Sequence, residues 1–284
     1  MESEIQDTPT KGSWLARVRR KIFPKKEKPL VAVIRLEGII AASATVRQNQ
    51  ISDHTLEPII GKAFKKGKPR AVALVINSPG GSPVQSALIA SRIRNLAKEK
   101  SIPVYTFIED VAASGGYWLA AAGDEIYTDP SSIVGSIGVI SSSFGFTDLI
   151  KKIGVERRVH TAGKNKNILD PFLPENQDDI DILKGIQTEI HNQFIDYVKD
   201  RRGDKIQDET VFTGQFWTGT KAIEMGLADQ IGHLAPTMKA KFGEKVRFMH
   251  YTKKKKFLSS LSSQLAEALL GVLKSEALWA RYGR

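Results

Sequence analysis

The sequence predicts an α/β fold, with a sheet buried on both faces and joined by crossover helices. Three observations carry this expectation. Val31 to Ile40 and Ala71 to Ile76 are nearly continuous β-branched and apolar runs, as suits strands covered on both sides. Strand-like and helix-like patterns then alternate along the chain, as crossover units require. Finally, glycine-rich turns follow two of the strands, at the strand ends where open α/β sheets place their ligands.

Taken in order, Val31 to Ile40 reads as the first strand and Ala71 to Ile76 as the second. A Gly/Pro turn leads to a helical pattern from about Val84 to Lys98, with Ala87, Leu88, Ile93 and Leu96 apolar among Arg and Lys. Ile102 to Ile108 reads as a third strand, Gly115 to Ala122 as a short helix and Asp124 to Thr128 as a fourth strand. Glu175 to Arg202 is a long amphipathic pattern carrying Ile180, Leu183, Ile186, Ile190, Phe194 and Tyr197, with Gly203 placed to end it. Those side chains suit either core or a subunit interface.

The ends differ from the middle. Residues 1–29 form a basic arm, 30–250 the main domain, and 251–284 a basic run followed by an amphipathic stretch. In the arm, Trp14, Leu15, Val18 and Ile22 fall on one helical face among basic residues, so it reads equally as a helix on an anionic membrane surface or as a disordered arm. Beyond the lysines at 253–256, Leu261, Leu265, Leu269 and Val272 recur at helical spacing, suiting a packed or a membrane-surface helix.

The net charge of +11 favours an anionic contact, either membrane or nucleic acid. No recognisable nucleic-acid reading motif or interleaved aromatics appear, so no nucleic-acid partner is expected. No run approaches the roughly 18 to 20 apolar residues that span a bilayer, and the N-terminus lacks a signal-peptide core. The expected location is cytoplasmic or peripheral to a membrane. The chain has no cysteine, which excludes disulfides, thiolate metal sites and a cysteine nucleophile. Covalent catalysis then falls to Ser, Thr, Lys or a carboxylate.

Two glycine turns carry the chemistry. Ala112-Ala113-Ser114-Gly115-Gly116-Tyr117 places one hydroxyl among very small neighbours between a strand and a short helix, where free backbone N–H groups favour a developing anion. Ser114 reads as a nucleophile or as an ordinary helix cap. Asn77-Ser78-Pro79-Gly80-Gly81-Ser82 follows the second strand, and its N–H groups suit an oxyanion hole or a plain strand-to-helix turn. None of His54, His160, His191, His233 and His250 sits in an unusual context for a base. Lys164 and Lys166 instead leave a strand among Gly and Asn in Thr161 to Phe172, as a catalytic or a solvated loop. A lysine base must fall from about 10.4 to roughly 7 to 8, a shift of roughly 4 kcal/mol obtainable by burial.

Together and in this order, these motifs resemble the signal peptide peptidase A family, including its short SohB-like members. The resemblance runs from about Val31 to Gly232. It includes Leu36-Glu37-Gly38, Asn77 to Gly81, Ala112 to Tyr117, Val134 to Ile140, Gly163 to Lys166, Trp217 to Ala222 and Gly226-Leu227-Ala228-Asp229. It implies a ClpP/crotonase-like fold, Ser114 as nucleophile, Lys166 rather than Lys164 as general base, and Ser136 orienting that lysine. It also implies an oxyanion hole from the N–H groups of Gly80 and Gly115, with no metal or cofactor. The implied substrates are signal-peptide remnants and other membrane-derived or unfolded segments. A homo-oligomer is implied as well, since single-domain members can build one site from the serine and lysine of neighbouring subunits. No N-terminal membrane-spanning anchor is expected, a departure from the family's common pattern that leaves the basic Trp14 helix as a substitute. Two rival classes remain: a crotonase-type acyl-CoA enzyme, which would need neither Ser114 nor Lys166, and an inactive scaffold binding membranes or partners through its basic ends.

Overall fold

The computed structural model describes residues 28–42, 50–252 and Tyr282. Both faces of its main sheet are covered, as the apolar runs require. Strands β1 (Leu30–Glu37), β4 (Ala71–Ser78), β5 (Val104–Ala113), β6 (Glu125–Thr128), β9 (Gln230–Ile231) and β10 (Arg247–Tyr251) lie in the order β10-β1-β4-β5-β6-β9, all parallel. Helices α1 (Asp53–Lys65), α2 (Pro83–Lys100) and α3 (Gly115–Ala120) cover one face. Ile34, Leu36, Leu74 and Ile76 of the sheet pack there against Ile60, Phe64, Ile89 and Ile93. The alternate residues Val31, Val33, Ala73, Val75 and Phe107 face the other side, where Met238 of α7 (Leu234–Phe242) covers them. Each of these side chains larger than alanine contributes about 1.5–3 kcal/mol through burial.

The first predicted strand proves to be two. β1 ends at Glu37, Gly38 turns with φ +106°, and the short β2 (Ile39–Ile40) continues, paired with β3 (Gln50–Ile51). β2 also clamps the glycine turn after β4, since Ile40 N–H donates to Gly80 O (2.9 Å) and Ser82 N–H donates to Ile40 O (2.8 Å).

The third predicted strand runs further than its apolar core suggests. β5 continues to Ala113, the residue before Ser114, and changes partner on the way. Tyr105 to Ile108 pair with β6, whereas Val111 to Ala113 pair with β7 (Ile133–Gly135), whose other edge carries the antiparallel β8 (Phe216–Thr218). Across β4, Ile76 pairs with Ile108 but Ser78 with Ala112, an irregularity at which the outer half of β5 departs from the core register.

Two short helices, α4 (Thr147–Lys152) and α6 (Gly219–Glu224), flank the long α5 (Gln177–Arg202). The C-terminal half of α5 is core: Phe194 stacks on Trp118 with centroids 4.5 Å apart, and Val198 is fully buried. Its first half points outward, leaving Ile182 and Ile186 exposed. Gly203 ends the helix as the sequence predicts, its N–H donating to Lys199 O. The basic arm before residue 28 and the leucine pattern from Phe257 lie outside the described residues.

Candidate active site

Each glycine turn sits where a parallel strand hands over to a helix, and the two meet. β4 ends at Ser78, the turn Pro79-Gly80-Gly81 follows, and Ser82 caps α2, its Oγ accepting from Gln85 N–H at 3.4 Å. β5 ends at Ala113, and Ser114 turns into α3 with φ 52° and ψ −124°. A β-carbon on Gly80 would stand 2.8 Å from Ala113 O, Gly115 N and Ser114 Cβ. Only glycine, which also tolerates the φ of +101° there, lets the first turn pack this closely on the second. From below, Gly116 lies so close on Ser78 that a β-carbon would collide with the Ser78 carbonyl oxygen.

Ser114 precedes α3 in the capping position, yet its side chain makes no capping hydrogen bond. Its backbone is held instead: N–H donates to Gly135 O (2.8 Å), and its carbonyl accepts from Tyr117 N–H (2.9 Å) and Trp118 N–H (3.1 Å). The half-buried hydroxyl is thus held on a positive-φ backbone that costs a non-glycine residue of order 1–3 kcal/mol. An ordinary helix cap has an extended backbone and bonds a free N–H, and Ser114 does neither.

Ser136 joins this serine through sheet pairing. Ala113 pairs with Gly135, so the residues that follow, Ser114 and Ser136, leave neighbouring strands side by side. Ser136 also has a positive φ (53°), is 4% exposed and donates its N–H to Gln215 O (2.7 Å). Its Oγ accepts from the Tyr282 hydroxyl at 3.1 Å.

The expected backbone donors lie at this junction. Gly115 N–H opens α3 directly beside Ser114, and Gly81 N lies 3.5 Å from where a Gly115 β-carbon would stand. Gly80 N–H donates to Ser78 Oγ (3.2 Å), which in turn donates to Gly38 O (2.7 Å). Ser78, fully buried at the end of β4, is given no role by the sequence reading; its place in the Asn-Ser-Pro-Gly-Gly run was the available signal.

Lys166 is placed differently. It is exposed, in a turn where its N–H donates to Gly163 O (3.2 Å), and among the described residues its side chain bonds to neither serine. Its surroundings, between β7 and α5, share this exposure: Ile140, Phe144, Leu149, Ile153, Val155 and Leu173 all present apolar surface to solvent, and α4 buries no residue at all. Of the histidines, His191 bonds to Ile137 O (3.0 Å), and among the described residues none bonds to Ser114.

The model of peptidase family S49 matches residues 96–245, just over half of the chain and spanning β5, Ser114, Ser136 and Lys166. The chain belongs to this family, that of signal peptide peptidase A. Its parallel sheet with covering helices is the ClpP-like fold of these serine peptidases. Among curated relatives, a Brucella melitensis protein named Na(+)/H(+) antiporter NhaA is 46% identical over 93% of this chain and 39% of its own length. Protease 4 of Haemophilus influenzae is 36% identical over 71% of this chain and 32% of its own. The probable protease SohB of Buchnera aphidicola from Acyrthosiphon pisum is 29% identical over 89% of this chain and 74% of that protein. This S49 member thus spans about two-fifths of the Brucella relative, and the antiporter name is said of that longer protein. Among the described residues, no helix is long and apolar enough to cross a membrane.

Proposed function

We propose that this chain is a serine endopeptidase in which Ser114 is the nucleophile and Lys166 the general base. The observation that carries the reading is the backbone of Ser114: a non-glycine residue held at φ 52°, without a capping bond, at the meeting point of two glycine turns. In the proposed cycle, neutral Lys166 takes the Ser114 Oγ proton as that oxygen attacks a peptide carbonyl. The tetrahedral oxyanion is received by Gly115 N–H and by the glycine turn, where Gly80 N–H exchanges Ser78 Oγ for the substrate. Protonated Lys166 then returns the proton to the leaving amine. Water, deprotonated by the same lysine, releases the acyl group and restores Ser114. Ser136 Oγ orients the lysine, and the substrates are signal-peptide remnants and other membrane-derived or unfolded segments.

A lysine works as a base only where its ammonium is stripped of water, yet Lys166 is exposed in a single copy, amid exposed apolar side chains. This supports a homo-oligomer in which a neighbouring copy covers the Lys166 segment and one copy's lysine serves the other's serine.

The test is intact-mass analysis after exposure to a fluorophosphonate near neutral pH. Wild type should gain one adduct, and both Ser114→Ala and Lys166→Ala should gain none. A folded, oligomeric wild type that stays unlabelled would overturn the reading.

A further inference from the structure

Three consecutive residues carry Ser136 into the site, and each is tied to a different element. Gly135 O accepts from Ser114 N–H (2.8 Å), Ser136 N–H donates to Gln215 O (2.7 Å), and Ile137 O bonds to His191 Nε2 on α5 (3.0 Å). The first tie reaches the nucleophile and the second the turn before β8. The third reaches a half-buried side chain midway along the long helix. A carbonyl oxygen can only accept, so His191 Nε2 carries the proton and donates it.

The segment depends on that third tie. β7 and its pairing end at Gly135, Ser136 turns at φ 53°, and by Ile140 the chain is exposed. Ser136 therefore sits in a disfavoured backbone conformation that its surroundings must hold from both sides. Ile137 is fully buried, so its carbonyl needs a donor from the protein.

Helix α5 is anchored well enough to supply it. His191, Phe194 and Val198 follow helical spacing toward its packed side. Phe194 stacks on Trp118, whose N–H donates to Ser114 O (3.1 Å). Arg201 donates to Ala121 O and Gly123 O, just past the end of α3, at 3.0 Å each. One helix thus grips both the helix that follows the nucleophile and the segment that carries Ser136.

We propose that His191 is a positioning residue, whose bond to Ile137 O sets Ser136 Oγ against Ser114 and, through it, orients the base. The inference rests on the peptidase reading and adds to it a residue outside the reacting groups. A leucine would fill much of the same space but leave Ile137 O without its donor. Glutamine carries an amide N–H about as far from the backbone as histidine Nε2, whereas the amide of asparagine stops short.

The test compares the full-length wild type with His191→Leu, His191→Gln and His191→Asn. His191→Leu should lower the rate of fluorophosphonate labelling, and kcat for a fluorogenic apolar peptide, about tenfold, with KM unchanged within twofold. His191→Gln should recover both rates to within about twofold of wild type, and His191→Asn should not. Amide-resolved hydrogen exchange should show Ser136 N–H exchanging at least tenfold faster in the Leu and Asn variants but not in Gln, with Ile76 unchanged in all. If His191→Leu does not fold, the Gln and Asn chains still decide. Wild-type rates in His191→Leu or His191→Asn, equal losses in Gln and Asn, or unaltered exchange at Ser136 would each overturn the proposal. An unlabelled wild type sinks the peptidase reading instead, and exchange at Ser136 still decides whether His191 holds this segment.

Discussion

Ser114 holds a conformation that suits the chemistry proposed for it and not its stability. Its φ of 52° is disfavoured for any residue with a β-carbon, whereas glycine populates that region readily. Ser114→Ala should therefore abolish fluorophosphonate labelling and leave thermal stability nearly unchanged. Ser114→Gly should abolish labelling and raise stability by about 1 kcal/mol, the strain relieved less the added backbone freedom of the unfolded chain. In a chain of this size that corresponds to a rise in Tm of roughly 2–4 °C, measurable by scanning calorimetry. Much of this site was legible at residue scale: the small residues around Ser114 and the glycines at 80 and 81 mark close backbone approach in the sequence itself. The nearness of Ser114 to Ser136 was implied by the family resemblance alone and left no mark in the residues around them, because it is made by β5 pairing with β7, and such pairing leaves no local trace.

The long helix α5 is fastened at its C-terminal end by a buried ion pair. Arg202, with a side chain only 2% exposed, donates to Asp229 from both terminal nitrogens at 3.0 and 3.1 Å and to Gly226 O at 2.8 Å. Lys205 also reaches Asp229 (2.7 Å), and Asp229 accepts from Ile126 N–H of β6. Burial pushes the Asp229 carboxyl up, but the hydrogen bonds from Arg202 and Lys205 outweigh it and hold it below the ordinary carboxylate value. A native value below the unfolded one of about 3.9 means that this stabilisation is present above about pH 4 and is lost as the pH falls through the native value. Asp229→Asn leaves Arg202 charged, buried and unpaired, and should cost about 3–5 kcal/mol at pH 7. Urea denaturation across pH 3 to 7 should show a shallower acid loss for the variant than for wild type. At this scale the sequence was unevenly informative. The buried strands β1 and β4 announced themselves by continuous apolar runs, and α5 by its period. Helix α1 did not, since Pro58 lies inside it and Asp53, His54 and Thr55 open it with polar residues. β8 and β9 are too short for any period to register.

At the scale of the whole molecule, the region between β7 and α5 stands out. It combines the exposed base candidate with Phe144 at 79% exposure, Ile140 at 68% and Ile153 at 64%, large apolar side chains within one stretch of chain. If a second copy covers it, Phe144→Asp combined with Ile153→Asp should shift the mass measured by light scattering from oligomer to monomer, and fluorophosphonate labelling should fall at least tenfold with it. Co-expressing Ser114→Ala with Lys166→Ala chains distinguishes how the copies share a site. Mixed oligomers with the dyad formed between subunits recover labelling on the Lys166→Ala chain, whereas a dyad within one chain recovers none. The order of motifs along the sequence pointed to Lys166, but where a side chain acts across a subunit boundary, no single folded chain can bring it to its partner.

The exchange of partners along β5 has a dynamic consequence. Its inner half is sealed into the central sheet between β4 and β6, while its outer half, with Ser114 at the tip, is held on one side by β7 and β8, a small ribbon of three paired positions. Opening that ribbon breaks the bond from Ser114 N–H to Gly135 O without disturbing the core register. Amide hydrogens from Val111 to Ser114 should then exchange with solvent through local opening, orders of magnitude faster than those of Leu74 or Ile76, whose release awaits global unfolding. The cleft would breathe on a timescale of its own, on a scaffold that stays closed.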